Sequence, residues 1–148
     1  LVECYVDTCT LDRNHGTVKP LRFWREIIRS ELGWVATLVS PESLAGHRAL
    51  GASFGWTVLV EGPHQVMYRD DRGTVIEYCT SEHAVPDYLF RSQAVVFGFL
   101  VSDIDKVLAG LPTEQSTLMG PRTAAGDVEF QHLQKQDGTI FALIANID

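Results

Sequence analysis

Apolar and polar residues alternate along "LVECYVDTC", residues 1–9, with Val2, Cys4 and Val6 on one side and Leu1, Glu3 and Tyr5 on the other. This is the period-two pattern of a half-buried strand. In "KPLRFWREIIRSELGW", residues 19–34, the period lengthens. Leu21, Trp24, Ile28 and Leu32 recur at helical spacing, Pro20 suits a first turn and Gly33 a C-terminal cap, so the pattern predicts a helix. From Trp34 to Gly55 the pattern weakens, because Pro41 and three glycines interrupt it; a short strand or turn followed by a loop is expected. Three strand-like runs come next, "WTVLVEG", "QVMYRD" and "TVIEYCT", separated by the turn-forming "GPH" and "DDRG". They predict a meander.

The stretch "SEHAVPDYLFRSQ", with Pro86 inside it, reads as a linker. Beyond it the order repeats: "AVVFGFLV" as a strand, then "SDIDKVLAGL" as a helix with Ser102 and Asp105 at capping-box spacing and Pro112 as a stop. "STLMG", "DVEFQHLQ" and "TIFALIANI" complete three more strands. The third strands of the two halves echo each other, "DRGTVIEYC" at 71–79 and "QDGTIFALI" at 136–144. The chain therefore divides into one strand-helix-three-strand module at 1–85 and a second at 86–148. A unit of this size cannot bury its own sheet face, so the two are expected to fold together as one domain.

Composition narrows the function. At 148 residues, 45% hydrophobic and 21% charged, the whole chain is expected to be folded. Twelve Lys and Arg against 19 Asp and Glu give a formal net charge of −7 with no basic run, which argues against a nucleic-acid partner. No apolar run reaches the roughly 18 residues of a membrane span, so no membrane partner is expected. Cys4, Cys9 and Cys79 form no CxxC pair. They read as buried thiols of a reducing compartment, and the expected location is cytoplasmic.

The twin layout, "FWREIIRSELGW" in the first half, "FGFLVSDID" opening the second and "DRGTVIEY" closing the first together resemble the vicinal oxygen chelate superfamily, which includes glyoxalases, extradiol dioxygenases, epimerases and drug-binding resistance proteins. The resemblance implies an α+β fold of two tandem βαβββ modules, forming a curved mixed sheet with a concave ligand cavity and helices on the convex face. It also implies metal-ligand positions on the first and last strands of each module. The last-strand position, four residues after the turn glycine, falls on Glu77 after Gly73 and on Ala142 after Gly138. The first-strand position, seven residues before the Asp of "VSD", falls on Val96; in the first module it falls at about Leu1 or ahead of it. A catalytic divalent ion needs about three protein donors. With Glu77 alone competent, no metal and no cofactor is expected, a divalent ion being the alternative.

Val75, Glu77 and Cys79 share one strand face, as do Glu3 and Tyr5. If the other faces take the helices, Glu77, Glu3 and Tyr5 converge in the cavity as candidate catalytic groups, and two neighbouring carboxylates there would raise one pKa. Alternatively, Glu77 pairs with an arginine such as Arg25 or Arg48. Phe54 and Trp56 share a face and offer either a stacking platform or inter-module packing. His64, in a meander turn, and His132, mid-strand, can reach the cavity or serve as ordinary structural histidines. Phe97 and Phe99 should face the second helix, which leaves Val96, Gly98 and Leu100 toward an apolar cavity. Cys79 joins the ligand-binding candidates, as a small buried hydrophobe.

These readings lead to a metal-free binder of a small, aromatic or apolar organic molecule, serving drug sequestration or metal-free acid–base transformation in biosynthesis. The alternatives are a metal-dependent lyase, epimerase or dioxygenase with its site at Glu77 and a histidine, and a fold used only for protein–protein interaction. A homodimer is expected from the resemblance.

Overall fold

A computed structural model describes residues 31–147 except 85, 113 and 115. Its elements in chain order are β1 (Glu31–Leu38), α1 (Pro41–Phe54), β2 (Thr57–Glu61), β3 (Gln65–Arg69) and β4 (Val75–Cys79). A 3-10 turn (Asp87–Phe90) follows, and then β5 (Val95–Leu100), α2 (Ile104–Gly110), β6 (Ser116–Ala125), β7 (Val128–Lys135) and β8 (Ile140–Asn146). The eight strands form one mixed sheet in the order β2-β3-β4-β1-β5-β8-β7-β6. Within each half the first strand runs parallel to the last, β1 to β4 and β5 to β8. The halves meet where β1 and β5 pair antiparallel. This is the α+β arrangement of two βαβββ modules that the sequence pattern anticipates.

The first module begins later than the pattern suggested. The strand expected at 1–9 lies outside the described residues, as does most of the helix expected at 19–34, whose last residues are instead part of β1. The helix is α1, in the stretch read as broken. Its breakers are its boundaries and contacts. Ser40 caps the N-terminus, its hydroxyl accepting from the Ser43 N–H, Pro41 occupies the first turn, and Gly55 at φ +67° closes the C-terminus. Gly51 sits where the helix crosses Tyr68, and a Cβ there would stand 2.4 Å from the Tyr68 ring. Such close approach is what a mid-helix glycine permits.

Side chains alternate between two layers. Leu44 of α1 packs on Val66 and Tyr68 of β3, with Val39, Trp56 and Tyr78 around them. Ile104 of α2 packs on Leu133, Leu143 and Ala145. The residues between these in sequence face the other side of the sheet. In the second module the elements fall close to expectation, with two differences. The α2 N-cap is Asp103, whose carboxylate accepts from the Lys106 N–H, and not Ser102. Strand β6 continues past "STLMG" to Ala125 with a register shift between Met119 and Thr123. Pro121 is tolerated there because β6 is an edge strand.

The echoing turns share their backbone hydrogen bonds, Gly73 N–H to the Asp70 carbonyl and Gly138 N–H to the Lys135 carbonyl, while the capping carboxylate stands at a different position in each. Asp70 accepts from the N–H groups of Arg72 and Thr74 before Gly73 at φ +88°, and Asp137 accepts from the Thr139 N–H around Gly138 at φ +83°. Among the described residues, no helix is long and apolar enough to cross a membrane.

The two interior glycines of α1 should respond to Ala in opposite directions. Gly46→Ala meets nothing within 4 Å and should stabilise by about 0.5–1 kcal/mol through helix propensity. Gly51→Ala drives a methyl into the buried Tyr68 ring and should cost about 1–3 kcal/mol. Urea denaturation midpoints of the two variants test the pair, and equal shifts would contradict the packing described.

Candidate functional site

The inward faces of both modules enclose a cavity of about 610 Å³, within the range of small-molecule sites. Trp34 and Ala36 of β1, Met67 of β3 and Val75, Glu77 and Cys79 of β4 form one wall. Phe130 and His132 of β7, with Ala142 and Ile144 of β8, form the other. Pro86, Leu89 and Phe90, from the segment read as a linker, close one end, where the wall residues Cys79, His132 and Ala142 are buried. At the opposite end lie Arg69, Gly73, Asp127 and Asn146, all exposed, and there the cavity opens.

Glu77 is held from two directions. The indole N–H of Trp34 donates to its Oε2 at 3.0 Å, and the amide of Gln65 donates to Oε1 at 2.8 Å. The alternative pairing with Arg48 does not form. That guanidinium bonds the Gly62 carbonyl and Glu61 instead, and Arg25 lies outside the described residues. A carboxylate with one neutral donor on each oxygen is oriented but not neutralised. It keeps a lone pair on each oxygen.

His132 is 5% exposed. Its Nδ1 lies 3.0 Å from the Tyr88 hydroxyl, which is 3.2 Å from the Met119 carbonyl. Both contacts are used together when Nδ1–H donates to the phenol oxygen and the phenol proton goes to Met119. This leaves Nε2 as the bare acceptor. Burial lowers the imidazole pKa below its usual 6.5. On the other wall, burial and then the Glu77 charge push the Cys79 thiol up to about 11, so it is a packing group and not a nucleophile.

Of the remaining candidate residues, Leu100 lines the cavity. Val96 points the same way but is fully covered by Leu89 and Ile140. Gly98 lies beneath Trp34 and Ile144; a Cβ there would be 3.0 Å from the indole and 2.7 Å from Ile144 Cδ1. Phe54 and Trp56 stack on each other at 5.0 Å on the helix side of the sheet, because Trp56 packs with the Leu44–Val66–Tyr68 group. They are away from the cavity. His64 is also elsewhere, near Thr80 and Glu82. Glu3 and Tyr5 lie outside the described residues.

Trp34 was not anticipated. Ala36 lies beside Glu77 in the β1–β4 register as Gly98 lies beside Ala142 in the β5–β8 register. Two residues earlier on each first strand, Trp34 is thus the equivalent of Val96. The signal was present in "VSP" at 39–41, which mirrors "VSD" at 101–103 and puts position 34 seven residues ahead. The alternation at residues 1–9 draws the first strand there instead and leaves Trp34 outside it.

Solved structures place this architecture. The chain superposes on methylmalonyl-CoA epimerase from Mycobacterium tuberculosis with a TM-score of 0.58 at 14% identity, covering 79% of this chain and 88% of that one. A glyoxalase/bleomycin resistance protein/dioxygenase superfamily member from Vibrio splendidus 12B01 gives 0.52 at 14% identity, covering 79% and 99%. The Mn(II)-bound glyoxalase from Novosphingobium aromaticivorans gives 0.56 at 10% identity, covering 82% of this chain and 40% of that one. No protein-family model matches the sequence, and no curated protein matches it. The fold is that of the vicinal oxygen chelate superfamily.

The divalent ion associated with this fold can be tested against the residues present. The four equivalent positions are Trp34, Glu77, Val96 and Ala142. One offers an anionic oxygen, one an indole N–H that donates to that oxygen, and two offer hydrocarbon. Among the described residues, no group of three His, Cys, Asp or Glu is disposed to hold a metal. The donor set does not fit a catalytic divalent ion.

His132 should make stability depend on pH. Its folded pKa is depressed, so between that value and 6.5 the unfolded chain binds the proton that the native imidazole refuses. Its contribution is complete above about pH 7.5 and is lost as pH falls through 6.5, levelling off below the folded pKa. Urea denaturation at pH 7.5, 6.5 and 5.5 should show a shallower decline in His132→Asn than in the unaltered chain. Identical declines would remove His132 as the source.

Proposed function

We propose that this protein binds a small, largely apolar organic molecule in the concave cavity of its sheet without the help of a metal ion. The observation that carries this reading is the Trp34–Glu77 hydrogen bond, which joins two of the fold's metal-ligand positions by an indole donor and a carboxylate. The cavity volume suits a drug-sized or metabolite-sized molecule. Trp34, Phe90 and Phe130 supply aromatic faces, and Met67 supplies an adaptable wall. Burial of flat apolar surface would drive binding, and Glu77 and His132 would fix its orientation.

Two of the structural neighbours are named as an epimerase and a Mn(II)-bound glyoxalase. In this chain the corresponding chemistry is acid–base. An oriented carboxylate and a neutral imidazole are groups that can accept a proton from a bound molecule. Binding alone, as in sequestration of a toxic compound, uses the same contacts.

A thermal-shift screen of aromatic metabolites and drugs on the full chain should find occupants. One present at 100 times its dissociation constant should add about 2.7 kcal/mol of stability. Trp34→Phe should keep the fold but weaken binding and abolish most of the ligand-induced change in tryptophan emission. After treatment with chelator, titration with Mn, Ni and Zn should show no stoichiometric tight site. A silent screen together with one tightly held metal per chain would overturn the proposal.

A further inference from the structure

We infer that the molecule bound in this cavity is a hydrogen-bond donor, an uncharged aromatic carrying a hydroxyl or amino group, and not a carboxylate or a pure hydrocarbon. The inference rests on the reading of the cavity as a binding site and names the chemistry of its occupant. It follows from an inventory of polar atoms. Among the described residues below the open rim, the charged and strongly polar side chains on the walls are Glu77 and His132. Both Glu77 oxygens already accept a hydrogen bond from the protein, so what remains to a ligand is their second lone pairs. His132 has Nδ1 engaged by Tyr88, which leaves the Nε2 lone pair.

Among the described residues on the walls below the rim, the Trp34 N–H is consumed by Glu77 and the Cys79 thiol is directed at the Thr37 carbonyl. The interior therefore offers acceptors on two facing walls, β4 and β7. A ligand with no donor would strip water from both acceptors and return nothing, which is the costly case for buried polar groups. A carboxylate ligand would add like charge beside Glu77 in a poorly solvated space. Arg69 lies at the exposed rim, with Asp127 on the opposite side to offset it. A phenol or aryl amine meets every condition: its ring contacts Trp34 and Phe130, and its O–H or N–H reaches an acceptor.

Three probes of one shape test this on the full chain: 2-naphthol, 2-methoxynaphthalene and 2-naphthoate, with affinities measured by isothermal calorimetry at pH 7.5. The expected order is naphthol tightest, about tenfold ahead of the methyl ether, which corresponds to one net hydrogen bond, with naphthoate weakest. Glu77→Gln should narrow the gap between naphthol and naphthoate, since it removes the charge and introduces a donor. His132→Phe should narrow the gap between naphthol and the ether. If either variant fails to fold, the ranking on the unaltered chain still decides. Equal affinity for naphthol and the ether, or naphthoate as the tightest binder, overturns the donor requirement and leaves the apolar-cavity reading standing. Binding of none of the three counts against both.

Discussion

The antiparallel pairing of β1 with β5 is the interaction on which the rest of this molecule depends. Each module alone is a four-stranded sheet with a helix on one face and, among the described residues, no helix on the other. Joining the two first strands makes the sheet continuous and turns the uncovered faces toward a common space. It also fixes which residues meet there. The register sets Trp34 opposite Gly98, and the missing side chain at Gly98 leaves the room that the indole and Ile144 occupy above it. From that position the indole N–H reaches Glu77 on the neighbouring strand.

Much of the fold was legible because turn chemistry was written twice. The Asp-to-Gly turns before β4 and β8, and the alternation in "TVIEYC" and "TIFALI", gave the last strands, their inward faces and the repeat. The first module's opening was illegible for a physical reason. Helix α1 buries only Leu44 and Gly51, so it carries almost no apolar stripe, whereas residues 19–34 carry a clear one. Periodicity reports burial in general and does not say which of two candidate helices belongs to the sheet. In α1 the information lay in its caps, Ser40–Pro41 and Gly55.

The site was legible to the same extent. Glu77, Cys79 and Leu100 could be assigned to the inner face by parity alone, whereas His132 stayed open between a cavity and a structural role; Val96 and Gly98 share that face although they are covered. Parity could not separate a lining residue from a covered one, because what covers Val96 is Leu89, from a segment without strand or helix periodicity. Nor could it exclude Phe54 and Trp56, whose position depends on how α1 ends. The partners of Glu77 were invisible for a further reason. Trp34 and Gln65 come from two different strands, and a hydrogen bond between residues 43 apart leaves no local trace.

The connection between the modules gives this architecture an adjustable part. The segment around Pro86, Leu89 and Phe90 is at once the tether between two sheet halves and the floor of the space they enclose. Loops tolerate changes in length and side chain far better than paired strands do. Cavity depth can therefore be retuned in this one short stretch while all seven strand-pairing seams stay intact. New ligand shapes become accessible by drift in a connector, with no redesign of the sheet that forms the walls.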